Sequence, residues 1–256
     1  MAHPYFHSLS SVRKYGGSYT IYEPVHSWYD STKQYLCDAR HRLIFHNLAG
    51  IELNIKIHGE YLEHSNENGS LLKVSNKELG IQHITEDFGR EIGAEEILKF
   101  CAYHINRSKD FNADRALNHL IRKHKGVKSD YVKIIEFFEH YTKWAQEPKE
   151  KSIAYSFLCN SFGIFQLEKY IGAIFIRPSD NKIIPTRLLG ENYINSGYGN
   201  IPTLNQVLEK IPPRSWMLIN AAALSYQFEG SDDQNIDIDK KDYMQNRITP
   251  FPLPIK

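Results

Sequence analysis

The chain has 256 residues, 41% of them hydrophobic, enough to bury one large core or two modest ones. Its 31 Lys and Arg against 30 Asp and Glu leave a formal charge of +1, so no global field draws it to nucleic acid or to an anionic membrane. Cys37, Cys101 and Cys159 are far apart, odd in number and without C-x-x-C spacing, which reads as reduced thiols of a cytoplasmic protein. The start, MAHPYFHSLSS, lacks a basic segment followed by an apolar run, and no stretch approaches the roughly 18 apolar residues of a membrane span; secretion and membrane insertion are not expected.

In chain order, HPYFHSLSSVRKYGG begins as an aromatic and histidine-rich arm and continues as a helix that stops at Gly16-Gly17. A second helix is expected from about Pro24, with His26 and Asp30 on one stripe beside Trp28 and Tyr29. A single long helix from Asp38 to Ile57, ended by Gly59, would place Asp38, His41 and His46 within three turns, and Gly50 inside it weakens the helix or marks a close crossing. Residues 60 to 73 read as a hairpin around Asn68-Gly69, followed by a short helix over GIQHITEDFG and another over Ala94 to Tyr103. The polar run Asn106 to Asp114 reads as a linker.

After that linker the pattern starts again. RKYGG at Arg13 answers RKHKG at Arg122, Tyr22 answers Tyr131, and Trp28-Tyr29 face Phe137-Phe138. HNLAGI (His46 to Ile51) answers CNSFGI (Cys159 to Ile164), with Gly59 and Gly172 at the same distance beyond, and GIQHITEDFG answers GENYINSGYG. The expected fold is therefore α+β and mainly helical: two tandem copies of a unit of about 100 residues with a small hairpin, packed as a pseudo-dimer. The expected divisions are residues 1 to 105, 106 to 216, and a C-terminal helix and tail from 217 to 256.

Framework residues agree between the copies, but a set of polar residues does not. His7 faces Ala116, His26 faces Ile135, Asp30 faces Glu139, His46 faces Cys159, His83 faces Tyr193 and Asp87 faces Gly197; His41 faces about Ala154. Histidines that served only the fold would persist in a copy with the same fold, so their joint loss points to a site in the first copy alone. Imidazole and carboxylate donors suit a divalent transition metal such as Zn, Mn or Fe. The expected ligands are His26, His46 and His83, with Asp30 or Asp87 as a further one. Asp38 and His41 then serve as acid, base or supporting groups, and Arg40 and Arg42 hold a small anionic substrate. Arg13 and Lys14 recur in the second copy and read as structural.

The stretches HPYFHSLSSVRKYGG, VHSWYDSTK, RHRLIFHNLAGI and IQHITEDFG resemble, in that order, an uncharacterised domain-of-unknown-function family of bacteria and phages, with the pattern HPYxHAxSSxRKxGG, IHxWFDxSK, RHRxxxHHxxGI and GEQHxxEDxG. The second copy resembles it more weakly, through IIPTRLLGEN, GNIPTLNQVL and PRSWM. Asn47 and Ile81 depart from the pattern, which has histidine and glutamate there, and both departures would reduce a ligand set. The resemblance implies a compact domain with a histidine-rich centre and no established activity. The leading functional expectation is a metal-dependent hydrolase acting on a phosphoester or nucleotide, comparable by analogy with HD-type phosphohydrolases, although no adjacent His-Asp dipeptide occurs. The alternative is a non-enzymatic interaction protein, phage-derived or acting in phage-host conflict, with a structural metal site or a histidine-rich core. TPFPLPIK at the end offers an extended segment for a protein partner.

Overall fold

The computed structural model describes residues 3–36, 38–65, 69–105 and 110–211. The first copy runs α1 (Pro4–Tyr15), α2 (Tyr19–Tyr29), α3 (Arg42–Phe45), α4 (Leu48–His58), β1 (Tyr61–Ser65), β2 (Leu71–Ser75), α5 (Asn76–Phe88) and α6 (Ala94–His104). The second repeats this order as α7 (Ala113–His124), α8 (Val132–Phe138), α9 (Pro148–Leu158), α10 (Ser161–Ile171), β3 (Ile174–Ile176), β4 (Ile183–Pro185), α11 (Thr186–Tyr198) and α12 (Leu204–Leu208). The chain is thus mainly helical with one small antiparallel hairpin in each copy, β1 with β2 and β3 with β4.

Several boundaries move. There is no separate arm: His3 caps α1 by accepting from the Tyr5 amide at 3.2 Å, and Pro4 takes the first helical position. Helix α2 begins at Tyr19, so Pro24 lies inside it, forgoing one backbone hydrogen bond. Helix α5 begins at Asn76 and is closed by Gly89 in the left-handed conformation. Of the expected hairpin turn, Gly69 has φ +76°, while Asn68 lies outside the described residues, as do Cys37 and the tail from 217 onward. Of the expected linker, 106–109 also lie outside, and Ala113 already opens α7.

The largest change is to the long helix expected from Asp38 to Ile57. It is broken into a 3-10 turn (Ala39–His41), α3 and α4. At the break His46 has ψ 52° and Asn47 is extended, and the Asn47 side chain ties the two pieces together. Its oxygen accepts from the Gly50 amide at 3.1 Å and its nitrogen donates to the Leu43 and Ile44 carbonyls. The second copy uses the same device: Asn160 accepts from Gly163 at 3.1 Å and donates to Ser156 and Phe157. The glycines are required here, because a Cβ on Gly50 would lie 2.0 Å from the Phe45 carbonyl oxygen and one on Gly163 1.7 Å from that of Leu158. Asn47 is therefore a helix cap shared by both copies rather than the trace of a lost ligand.

The copies pack face to face through α4 against α10 and α6 against α9. Phe45 meets Phe162 with ring centroids 5.5 Å apart, and the Trp28 indole donates to the Gln166 side chain at 3.0 Å. Tyr141 donates to the Ile44 carbonyl, and His140 donates through Nε2 to the Ala49 carbonyl at 2.7 Å. Cys101 and Cys159 are buried free thiols. Among the described residues no helix is long and apolar enough to cross a membrane.

Candidate metal centre

Four pieces of backbone deliver polar side chains to one buried point in the first copy. Helix α2 brings His26 on its last turn and Asp30 at its C-cap. The break after α3 turns His46 inward. Helix α5 presents His83 and Asp87 one turn apart on its inner face, and α1 contributes His7 and Ser11. All seven are buried, the four histidines completely, and so are His41 and Arg42.

One donor atom from each of Asp30, His46, His83 and Asp87 lies within 4.8 Å of the other three. The centre of the group is His46 Nε2. It is 3.0 Å from His83 Nε2, 3.2 Å from Asp87 Oδ2 and 3.4 Å from Asp30 Oδ1. A ring nitrogen takes part in one hydrogen bond, not three. Spacings of this size match the edge of a tetrahedron of nitrogen and oxygen donors around a zinc-sized ion, about 3.3 Å. Asp30 Oδ1 has no hydrogen-bond partner at all.

Charge supports the same grouping. Burial, with His7 close by, pushes His26 down to about 3, and burial holds His83 well below and His41 below the ordinary imidazole value. These rings are neutral, the form that binds metals. Burial alone would raise Asp30, but its contacts with His41 and His46 outweigh it; for Asp87 the Arg42 guanidinium does the same. Both carboxylates are held ionised.

The remaining expected site residues are placed as follows. His26 is in the cluster but outside the converging four. Its Nε2 faces the Ser11 hydroxyl at 2.8 Å and its Nδ1 faces His83 Nδ1 at 3.1 Å, so it orients His83 from behind. Asp38 caps the 3-10 turn and pairs with Arg40 at 2.6 Å, with a side chain 37% exposed. His41 bonds the Asp38 carbonyl through Nδ1 and faces Asp30 through Nε2. Arg42 is committed to Asp87 through two nitrogens, at 2.8 and 2.7 Å. Arg40 adds the Ile211 carbonyl at 3.1 Å to its Asp38 pair. Ile81 is half-buried and lines a surface groove with Lys14, Gln82 and Glu86.

Three participants escaped the sequence reading. Lys33 pairs with Asp30 Oδ2 at 2.5 Å, Glu86 holds His7 Nδ1 at 2.5 Å, and Ser11 holds His26. The comparison between copies would have found them, since they face Thr142, Ser196 and Leu120.

In the second copy the same scaffold is filled with aromatic carbon. Phe138 stacks on Tyr193 at 5.2 Å, as Tyr29 stacks on His83 at 5.1 Å. The Phe111 ring occupies the place of the second carboxylate: a Cβ on Gly197 would lie 1.9 Å from it. Glu139 turns away to accept from the Tyr155 hydroxyl at 2.9 Å.

Fold and site together make this a tandem-duplicated helical protein in which one copy carries a buried histidine and aspartate cluster and the other has aromatic carbon in its place. The chain belongs to the family described as Domain of unknown function (DUF6915), whose model matches twice in tandem, over residues 2–104 and 113–217. No curated protein and no solved structure matches it.

Proposed function

We propose that the first copy binds a divalent transition metal, Zn, Mn or Fe, through Asp30, His46, His83 and Asp87, and that the protein is a metal-dependent hydrolase with phosphoester substrates. The convergence of three donor atoms on His46 Nε2 carries the metal reading. Support for catalysis comes from excess: four ligands suffice for a structural site, yet His7, His26 and His41 are also buried at the cluster. Burying a polar group without need costs about 1–3 kcal/mol. When bound, the metal would lower the pKa of a water and polarise a phosphoryl oxygen. The chain's own part is to hold the ligands, with Ser11 and His26 orienting His83 and Arg42 keeping Asp87 ionised. The second reading, a structural metal in an interaction protein, is favoured by one observation, that all four ligands are buried.

The test is elemental analysis of tag-free protein and of His46→Ala and His83→Ala, with turnover of a nitrophenyl phosphodiester measured in parallel. Stoichiometric metal lost in both variants, with metal-dependent turnover, is the expected result. Wild-type protein that stays metal-free after Zn, Mn and Fe are each added back refutes the metal reading. A metal whose chelation lowers stability in protein that turns over no phosphoester selects the structural alternative.

A further inference from the structure

His41 bears the marks of a ligand but stands outside the converging four. Its Nδ1 sits 2.6 Å from the Asp38 carbonyl oxygen, a group that only accepts, so the ring proton is on Nδ1 and Nε2 presents a bare lone pair. That Nε2 is buried, has no hydrogen-bond partner, and lies 3.4 Å from Asp30 Oδ1, which is equally buried and equally without one. Two buried groups thus face each other at a separation beyond the usual range of a hydrogen bond, about 2.7–3.2 Å. With the ring neutral both are acceptors, a pair that is repulsive unless a proton or a cation is shared between them, and 3.4 Å again suits two donors bound at about 2.1 Å to one ion. Asp30 Oδ1 is also the oxygen shared with His46 Nε2 at the first ion's position.

The geometry points to a second divalent cation, held by His41 Nε2 and bridged through Asp30 to the ion of the first position. This rests on the proposed mononuclear site and extends it to a pair. Lys33 fits as a stand-in for the second charge. Its ammonium lies 2.5 Å from Asp30 Oδ2 on a side chain 30% exposed, free to swing into water when the ion arrives.

Tag-free full-length protein saturated with Mn2+ alone, then freed of excess, is to be assayed by elemental analysis and electron paramagnetic resonance. Two equivalents and the spectrum of an exchange-coupled pair are expected for wild type, one equivalent and an isolated-ion spectrum for His41→Gln. Lys33→Met, relieved of a competing charge, should fill the second position at least about tenfold more tightly. One equivalent with an isolated-ion spectrum in wild type overturns the second ion and leaves the first standing; zero equivalents overturns both. If His41→Gln does not fold, the wild-type stoichiometry and spectrum decide alone.

Discussion

Gly80 and Gly190 occupy the same place in α5 and α11, yet alanine should act in opposite directions at the two. A methyl on Gly190 would meet Leu167 Cδ2 at 3.3 Å and Ile164 Cγ1 at 3.4 Å, contacts a small shift absorbs. The helix-propensity gain of about 1 kcal/mol then survives, and Gly190→Ala should stabilise by about 0.5–1 kcal/mol. On Gly80 the same methyl would lie 2.3 Å from the Tyr29 hydroxyl and 2.9 Å from Ile51 Cγ1. Tyr29 is fully buried and stacked on His83, so it cannot rotate away. Overpacking of this kind costs about 1–3 kcal/mol, leaving Gly80→Ala a net loss of up to about 2 kcal/mol. The Tyr29 hydroxyl has no hydrogen-bond partner, and its counterpart Phe138 has no hydroxyl, so Tyr29→Phe should itself cost little. Adding Tyr29→Phe to Gly80→Ala should recover about 1 kcal/mol of coupling, read as urea midpoints followed by circular dichroism. Equal shifts of Gly80→Ala and Gly190→Ala, or a Tyr29→Phe background that leaves Gly80→Ala unchanged, would refute the reasoning.

Burial lowers His140 to about 4, so the unfolded chain, whose histidine titrates near 6.5, takes up the proton first as pH falls. Stability contributed by neutral His140 is full above pH 6.5 and drains away toward pH 4. Wild type minus His140→Gln should lose about 3 kcal/mol over that window, and a pH-independent difference would contradict it. Arg42→Met leaves Asp87 charged and buried without its partner; a loss of about 3–5 kcal/mol is expected in chelator, and a smaller one in metal-saturated protein. Phe111→Ala should open a cavity in the second copy and cost about 3–5 kcal/mol in thermal or urea unfolding, with metal content unchanged. Wild type at a metal concentration 100 times its dissociation constant should gain about 2.7 kcal/mol over protein in chelator, and His46→Ala should gain none.

The duplication was legible because both copies keep glycines at the same turns and aromatics at the same core positions, and a repeat needs no knowledge of tertiary contacts. The asymmetry it exposed reached seven buried polar residues, including Asp30, His46, His83 and Asp87. The break at His46 was not legible. Apolar spacing continues across it from Leu43 to Ile57, and the device that enforces it, a side chain bonding backward to two carbonyls and forward to an amide, leaves no periodic trace. Its sign was the Asn present in both copies, which comparison with the family pattern alone misread as a missing ligand. His26 groups with the ligands in the sequence because the second copy loses it together with them. Which nitrogen of a ring meets which neighbour depends on contacts between distant helices, here Ser11 on α1 and His83 on α5. Arg42 looked available to a substrate because its partner, Asp87, lies far along the chain, and Arg40 because neither its pairing with Asp38 nor its bond to the distant Ile211 carbonyl leaves a periodic trace.

Because Asn47 and Asn160 make the same break, every backbone position that carries a donor in one half already exists in the other. Retrofitting the blank half calls for exchanged side chains: Cys159→His, Tyr193→His and Gly197→Asp, with Phe111→Ala to clear the space and Tyr155→Arg to free Glu139, at the position of Asp30, and to partner the new carboxylate. The chain thus carries beside its polar socket a blanked-off casting of the same part.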